Sequence, residues 1–213
     1  AFGLLTLLCI YMLIHSNFKS SKKKDDEGAD KLQTVKLSSN DSVSDTVMSL
    51  VDGTITNSTR IYNRTLIALM KENRRALKEL MTEASGMYER IHNLKYSIAS
   101  TLRRTYDSDM NLSLYYVQVV DYLNEMTKSL VHITRPAFDH IDNNHQGFTK
   151  EQIVDLKEVN DEVEAIFVTI SQMLRRKHFS DIAIIIEMRD HLFDTLDVVM
   201  RNQLRRMKEG EFS

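Results

Sequence analysis

The segment LSLYYVQVVDYLNEMTKSLVHITRPAFDHIDNN, residues 112–144, decides the fold class. Tyr116, Val119, Val120, Leu123, Met126, Thr127, Leu130 and Ile133 recur every three or four residues, which lines one face of a helix of about 3.6 residues per turn. Asp121, Glu125, Lys128 and His132 fall on the other side. Water rejects the apolar face, so other helices must cover it. Pro136 removes a backbone donor and crowds the preceding turn, so a bend is expected there.

Two long helical patterns precede this segment. The first spans 43–72, with Val47, Leu50, Val51, Ile55, Ile61, Tyr62 and Leu66 as its stripe. The second spans 74–104, with Leu77, Leu80, Met81, Ala84, Met87, Ile91, Leu94 and Leu102. Residues 105–111, TYDSDMN, are turn formers and read as a loop. After the central helix, residues 143–148, NNHQGF, form another loop, in which Gly147 tolerates positive φ. Thr149 followed three residues later by Gln152 has the form of a capping box for a fourth helix ending near Lys177. A fifth runs over 180–208, with Ile182, Ile185, Ile186, Leu192, Phe193, Leu196, Val199 and Met200, and Gly210 ends it. Arg205, Arg206 and Lys208 occupy its last turn, where the helix dipole favours cations. The expectation is an all-α fold, an antiparallel bundle of about five long helices over residues 43–210.

The ends differ from this core. Residues 1–18, AFGLLTLLCIYMLIHSNF, contain none of the 28 basic or 30 acidic side chains of the 213-residue chain. The uncharged run is short for a complete span and reads as the end of a transmembrane helix. A signal peptide would carry a basic start and a small-residue cleavage site, and neither is present. Lys19, Lys22, Lys23 and Lys24 follow at once, which marks the cytoplasmic side. Residues 19–42 read as a charged linker, with a short extended piece at 32–37, and 211–213 as a tail. The expected location is the inner (cell) membrane, with residues 19–213 cytoplasmic. On that side the Asn-x-Ser/Thr matches at Asn57, Asn63 and Asn111 carry no glycan. A net charge of −2 argues against a nucleic-acid partner. Cys9 is the sole cysteine, so no intrachain disulfide can form.

Several patterns that could carry chemistry do not complete a site. Asp142, Asn144, Gln146 and Gly147 match the first half of a calcium loop, but Ile153 stands where the closing carboxylate belongs. Glu89 and His92 have di-iron spacing without a second such pair. No phosphate loop, nucleophile elbow or zinc pattern occurs. Glu187, Asp190, Asp194 and Asp197 share one strip of the fifth helix, and Asp121 and Glu125 repeat the spacing on the central one. Like charges four residues apart repel by about 0.2–0.5 kcal/mol, so such strips suit a hard metal or a cationic surface, although most helical charge runs are solvated faces. Arg189 lies toward the apolar side of the fifth helix and reads as a snorkelling cation.

The order of a membrane-helix end, a lysine-rich linker, then helices carrying YYVQVVDYLNEMTKSL and RPAFDHIDNNHQGFTKEQI resembles the PhoU-like C-terminal domain of inorganic phosphate permeases of the PiT type. The resemblance covers roughly residues 41–210. It implies an all-helical domain involved in regulating phosphate uptake, with the transport path in upstream permease helices. Some members of the family bind iron or zinc through Glu/Asp-x-x-x-Asp motifs. Asp190-His-Leu-Phe-Asp194 fits that motif, and Asp121-Tyr-Leu-Asn-Glu125 is a variant, so Asp190, Asp194, Asp121 and Glu125 are the residues that would hold divalent, iron or zinc ions. The implied partners are the membrane, the upstream permease helices and a second copy in a homodimer. The resemblance points away from an enzyme. The alternative function is a membrane-tethered helical signalling or scaffold bundle of another system.

Overall fold

The computed structural model describes residues 40–102, 110–176, 180 and 182–210. They form five helices and no strand: α1 (Asn40–Met70), α2 (Arg74–Leu102), α3 (Met110–Asp142), α4 (Lys150–Arg176) and α5 (Ile182–Lys208). The all-α bundle expected from periodicity is present, with helix ends within three residues of those read from the sequence. The membrane-helix end at 1–18, the linker to residue 39 with its extended piece, and the tail at 211–213 lie outside the described residues. No described helix is long and apolar enough to cross a membrane. α3 begins at Met110, inside the expected loop, and continues past Pro136.

Side-chain and backbone chemistry at the ends explains where the helices stop. Asn73 caps α2, its Oδ1 accepting from the Ala76 amide at 3.1 Å. At the end of α1 the Asn73 amide bonds the Ala68 carbonyl and the Glu72 amide bonds that of Leu69. This is a Schellman closure with Glu72 at φ 52°, where glycine is usual. α3 ends the same way, His145 bonding to His140 and Asn144, at φ 53°, to Ile141. The left-handed residue of that loop is therefore Asn144 and not the expected Gly147. Asparagine enters this region more readily than most side chains. Gly147 instead gives room, since a Cβ there would meet the Glu72 carboxylate. The expected capping box is formed: Gln152 Oε1 accepts from the Thr149 amide at 2.8 Å, and Thr149 Oγ1 from the Gln152 amide at 3.3 Å. Gly210, at φ 81°, follows α5.

Ion pairs fix how the helices run. Arg74 meets Asp142 and Lys95 meets Asp121, joining opposite ends of antiparallel α2 and α3. Arg175, near the end of α4, meets Asp52 on the early part of α1, so these two are also antiparallel. α5 returns along α4, with Arg206 on Asp155 and His191 on Glu162. By backbone proximity α1 lies beside α2, α3 and α4, whereas α5 lies beside α4 alone among the described helices, and no Cα of α3 comes within 8 Å of one of α4.

The main core gathers Ile61, Leu66, Leu69, Leu77, Met87 and Ile133 with Val159 and Leu196 from the later helices. A smaller cluster of Leu50, Ile91, Leu94, Val120 and Leu123 fills the end where α1 begins, and its buried residues come from α1–α3 alone. His140 is buried, its ring stacked at 5.3 Å on His145 and 5.1 Å on Phe148.

Candidate interaction site: a trough between α3 and α4

Because α3 and α4 both lean on α1 while no Cα of one comes within 8 Å of the other, a slot remains between them. It forms a cavity of about 470 Å³, within the range of about 300–1,000 Å³ usual for ligand sites. Its floor is α1, from Val47 to Tyr62; its walls are α3, from Tyr115 to Ile133, and α4, from Val163 to Leu174. The floor is thus about 22 Å long at about 1.5 Å of rise per residue. The stripe Val47, Val51, Ile55 and Tyr62 explains the apolar floor, and Met48 and Met126 add thioether side chains that adapt to varied shapes. Tyr115 and Tyr122 stand about half exposed at the rim.

Polar atoms in this slot are incompletely satisfied. Ser58 Oγ, Tyr62 Oη and Glu125 Oε1 are buried with no hydrogen-bond partner among the described residues, and all three residues line the cavity. Such groups cost about 1–3 kcal/mol each when left without a partner. Burial pushes the Glu125 carboxyl above the usual range and Asp121 adds to this, while Lys128 and Lys95 pull the other way. Burial likewise raises the Tyr62 hydroxyl, so it stays protonated and able to donate. Among the described residues Glu125 is the only charged one of the lining.

The four acidic residues read from the sequence are not brought together. Asp121 faces Lys95 at 2.7 Å, and Glu125, one turn on, faces the trough. Asp190 is bonded by the adjacent Arg189 at 2.7 Å, and Asp194 is exposed. α3 and α5 make no contact, and no group of three or more His, Cys, Asp or Glu among the described residues could hold a metal ion. Arg189 lies 6.0 Å from the Phe193 ring centre. Arg206 stands in the last turn of the fifth helix as expected and is buried there, donating to Asp155 at 2.6 Å and to Gln203. The trough itself was missed by periodicity. Its one sequence signal is Ser58, a polar residue set between Ile55 and Tyr62 on the α1 stripe.

Comparison with protein-family models, with curated proteins and with solved structures gives no match.

Proposed function

We propose that this chain is a regulatory interaction module, the cytoplasmic portion of an inorganic phosphate transporter whose transport path lies in membrane helices outside it. The observation that carries the interaction reading is the trough, an apolar slot whose floor runs about 22 Å and whose one charged lining residue among the described residues keeps a buried oxygen without a partner. Catalysis needs polar groups converging on one point, whereas this lining spreads along about five turns of helix and is chiefly aliphatic, aromatic and methionine. Helix-in-groove recognition uses such a surface. The transporter part of the reading is supported by the apolar start followed by Lys19, Lys22, Lys23 and Lys24, and by the resemblance of residues 115–130 and 135–153.

Phosphate uptake by cells expressing the whole permease, with and without residues 41–213, tests this function. A regulatory module changes KM or maximal rate on removal at equal surface expression. Identical uptake kinetics would remove the regulatory role.

A further inference from the structure

The first turns of α5 carry a second incompletely covered surface. The first buried residue of this helix is Leu192, ten positions after its start. Before it, Ile182 and Ile186 are 54 % and 46 % exposed on one flank of the helix and Ile184 is 51 % exposed on the other, while Ile185 and Met188, in line with Leu192, are half-buried. On the opposing part of α4 no residue after Val163 is fully buried, and Ile166, Phe167, Ile170 and Leu174 are half-buried. Ile182, Ile186, Arg189 and Phe193 step 4, 3 and 4, so they share one stripe, and Arg189 is its only charge.

That stripe complements the trough in three respects. In length, residues 182–193 span about 17 Å of helix, within the roughly 22 Å of the floor. In chemistry, apolar side chains at i, i+4 and i+11 are what a slot between two helices receives. In charge, a single guanidinium on the stripe answers the single carboxylate of the lining. The present partner of Arg189 is the adjacent Asp190, in a half-exposed pair that contributes little and is readily given up.

We infer that the start of α5 from one copy of the chain lies in the trough of a second copy, Arg189 meeting Glu125, and that the exchange is reciprocal about a two-fold axis. Each copy then supplies one stripe and one trough, which closes the assembly at two chains. The contact covers Ile182 and Ile186 and gives the Glu125 oxygen a charge-assisted partner. This inference names the partner for the interaction reading and rests on it, but not on phosphate.

The test uses the full chain in mild detergent, with Cys9→Ser as background. One chain carries Ile186→Cys, and a second, enlarged by a tag, carries Met126→Cys; the two are mixed and gently oxidised. A disulfide forms only between Cα atoms within about 7 Å, so a mixed product reports the proposed contact. The expected result is a mixed disulfide at least about ten-fold above that obtained with Lys157→Cys, an exposed α4 position. Arg189→Glu or Glu125→Arg alone lowers the yield by about ten-fold, and the two together restore most of it. Glu125→Gln, which preserves shape, gives an intermediate yield, and circular dichroism verifies folding. The inference is overturned if no mixed product forms, if the Lys157→Cys control matches it, or if joining both cysteines in one chain gives only an internal bond. It is also overturned if the charge-swapped pair is no better than either single change. A failed cross-link with altered uptake on deletion removes the dimer alone; a sound cross-link with unaltered uptake removes the regulatory role.

Discussion

The α2–α3 seam and the α4–α5 seam join helices of comparable length and similar amphipathicity, yet they are sealed differently. Between α2 and α3 the filling is Met87, Ile91 and Leu94 against Val120, Leu123 and Ile133, all 5 % exposed or less. Ion pairs clamp both ends, Arg74 with Asp142 and Lys95 with Asp121. Between α4 and α5, apolar contacts of Leu156 and Val159 alternate with polar ones: Gln152 with Gln203, Asp155 with Arg206, and Glu162 with Thr195 at 2.7 Å. Polar layers fix register but add less net stabilisation than apolar burial, because each group surrenders water. The second seam also closes at one end only. The difference separates a structural half, α1–α3, from a hairpin whose open end still has surface to bury.

Four substitutions or conditions would break or sharpen that contrast. Leu66→Ala, at a fully buried site, should cost about 2–5 kcal/mol in chemical denaturation, whereas Ile184→Ala should stay within about 0.5 kcal/mol. Equal losses at the two sites would end the distinction. Asp155→Ala leaves the buried Arg206 with Gln203 alone and should cost about 3 kcal/mol by the same measurement. Replacing the pair together by Asp155→Leu and Arg206→Met should recover most of that loss. Asn124→Leu should raise the free energy of unfolding by about 1 kcal/mol, because both side-chain polar atoms of Asn124 are buried without a partner beside the α2–α3 seam. A loss there would mean that this asparagine is satisfied in solution.

The smallest effect is a pH dependence. Burial, then the neighbouring His145, holds the His140 imidazole below its ordinary pKa, partly offset by a hydrogen bond that the ring donates to the Gln146 backbone and by Glu72. The unfolded chain therefore takes up this proton before the folded one does. Stability from keeping His140 neutral is complete above about pH 6.5 and declines as pH falls from there toward the lowered folded value. His132, held down by burial and then by Lys128 and Arg135, acts in the same direction. His140→Phe should reduce the slope of stability against pH without abolishing it, and an unchanged slope would show that His140 is already solvated.

Helix number, order and most boundaries were legible in the sequence because they depend on local chemistry: the period of apolar residues, the Thr149–Gln152 box and Gly210. The identity of the left-handed residue in the α3–α4 loop was less so, since Asn144 and Gly147 both tolerate that geometry and only tertiary contact with Glu72 reserves Gly147 for close approach. Coverage was not legible at all. Ile182, Ile185 and Ile186 follow the same period as Leu192 and Leu196, but periodicity shows that a face is apolar, not that a neighbour covers it. For the same reason Glu125 read as part of an acidic strip. Its position at the trough depends on α3 and α4 standing apart, which no spacing within α3 encodes.

Hydrogen exchange of the full chain at two concentrations tests the division between core and interaction surface most directly. Amides of 60–69, 77–94 and 127–137 should exchange slowest and independently of concentration, while those of 182–191 should exchange fast when dilute and slow down, together with 115–126, when concentrated. Protection of 182–191 equal to that of α1–α3 at every concentration would contradict the account.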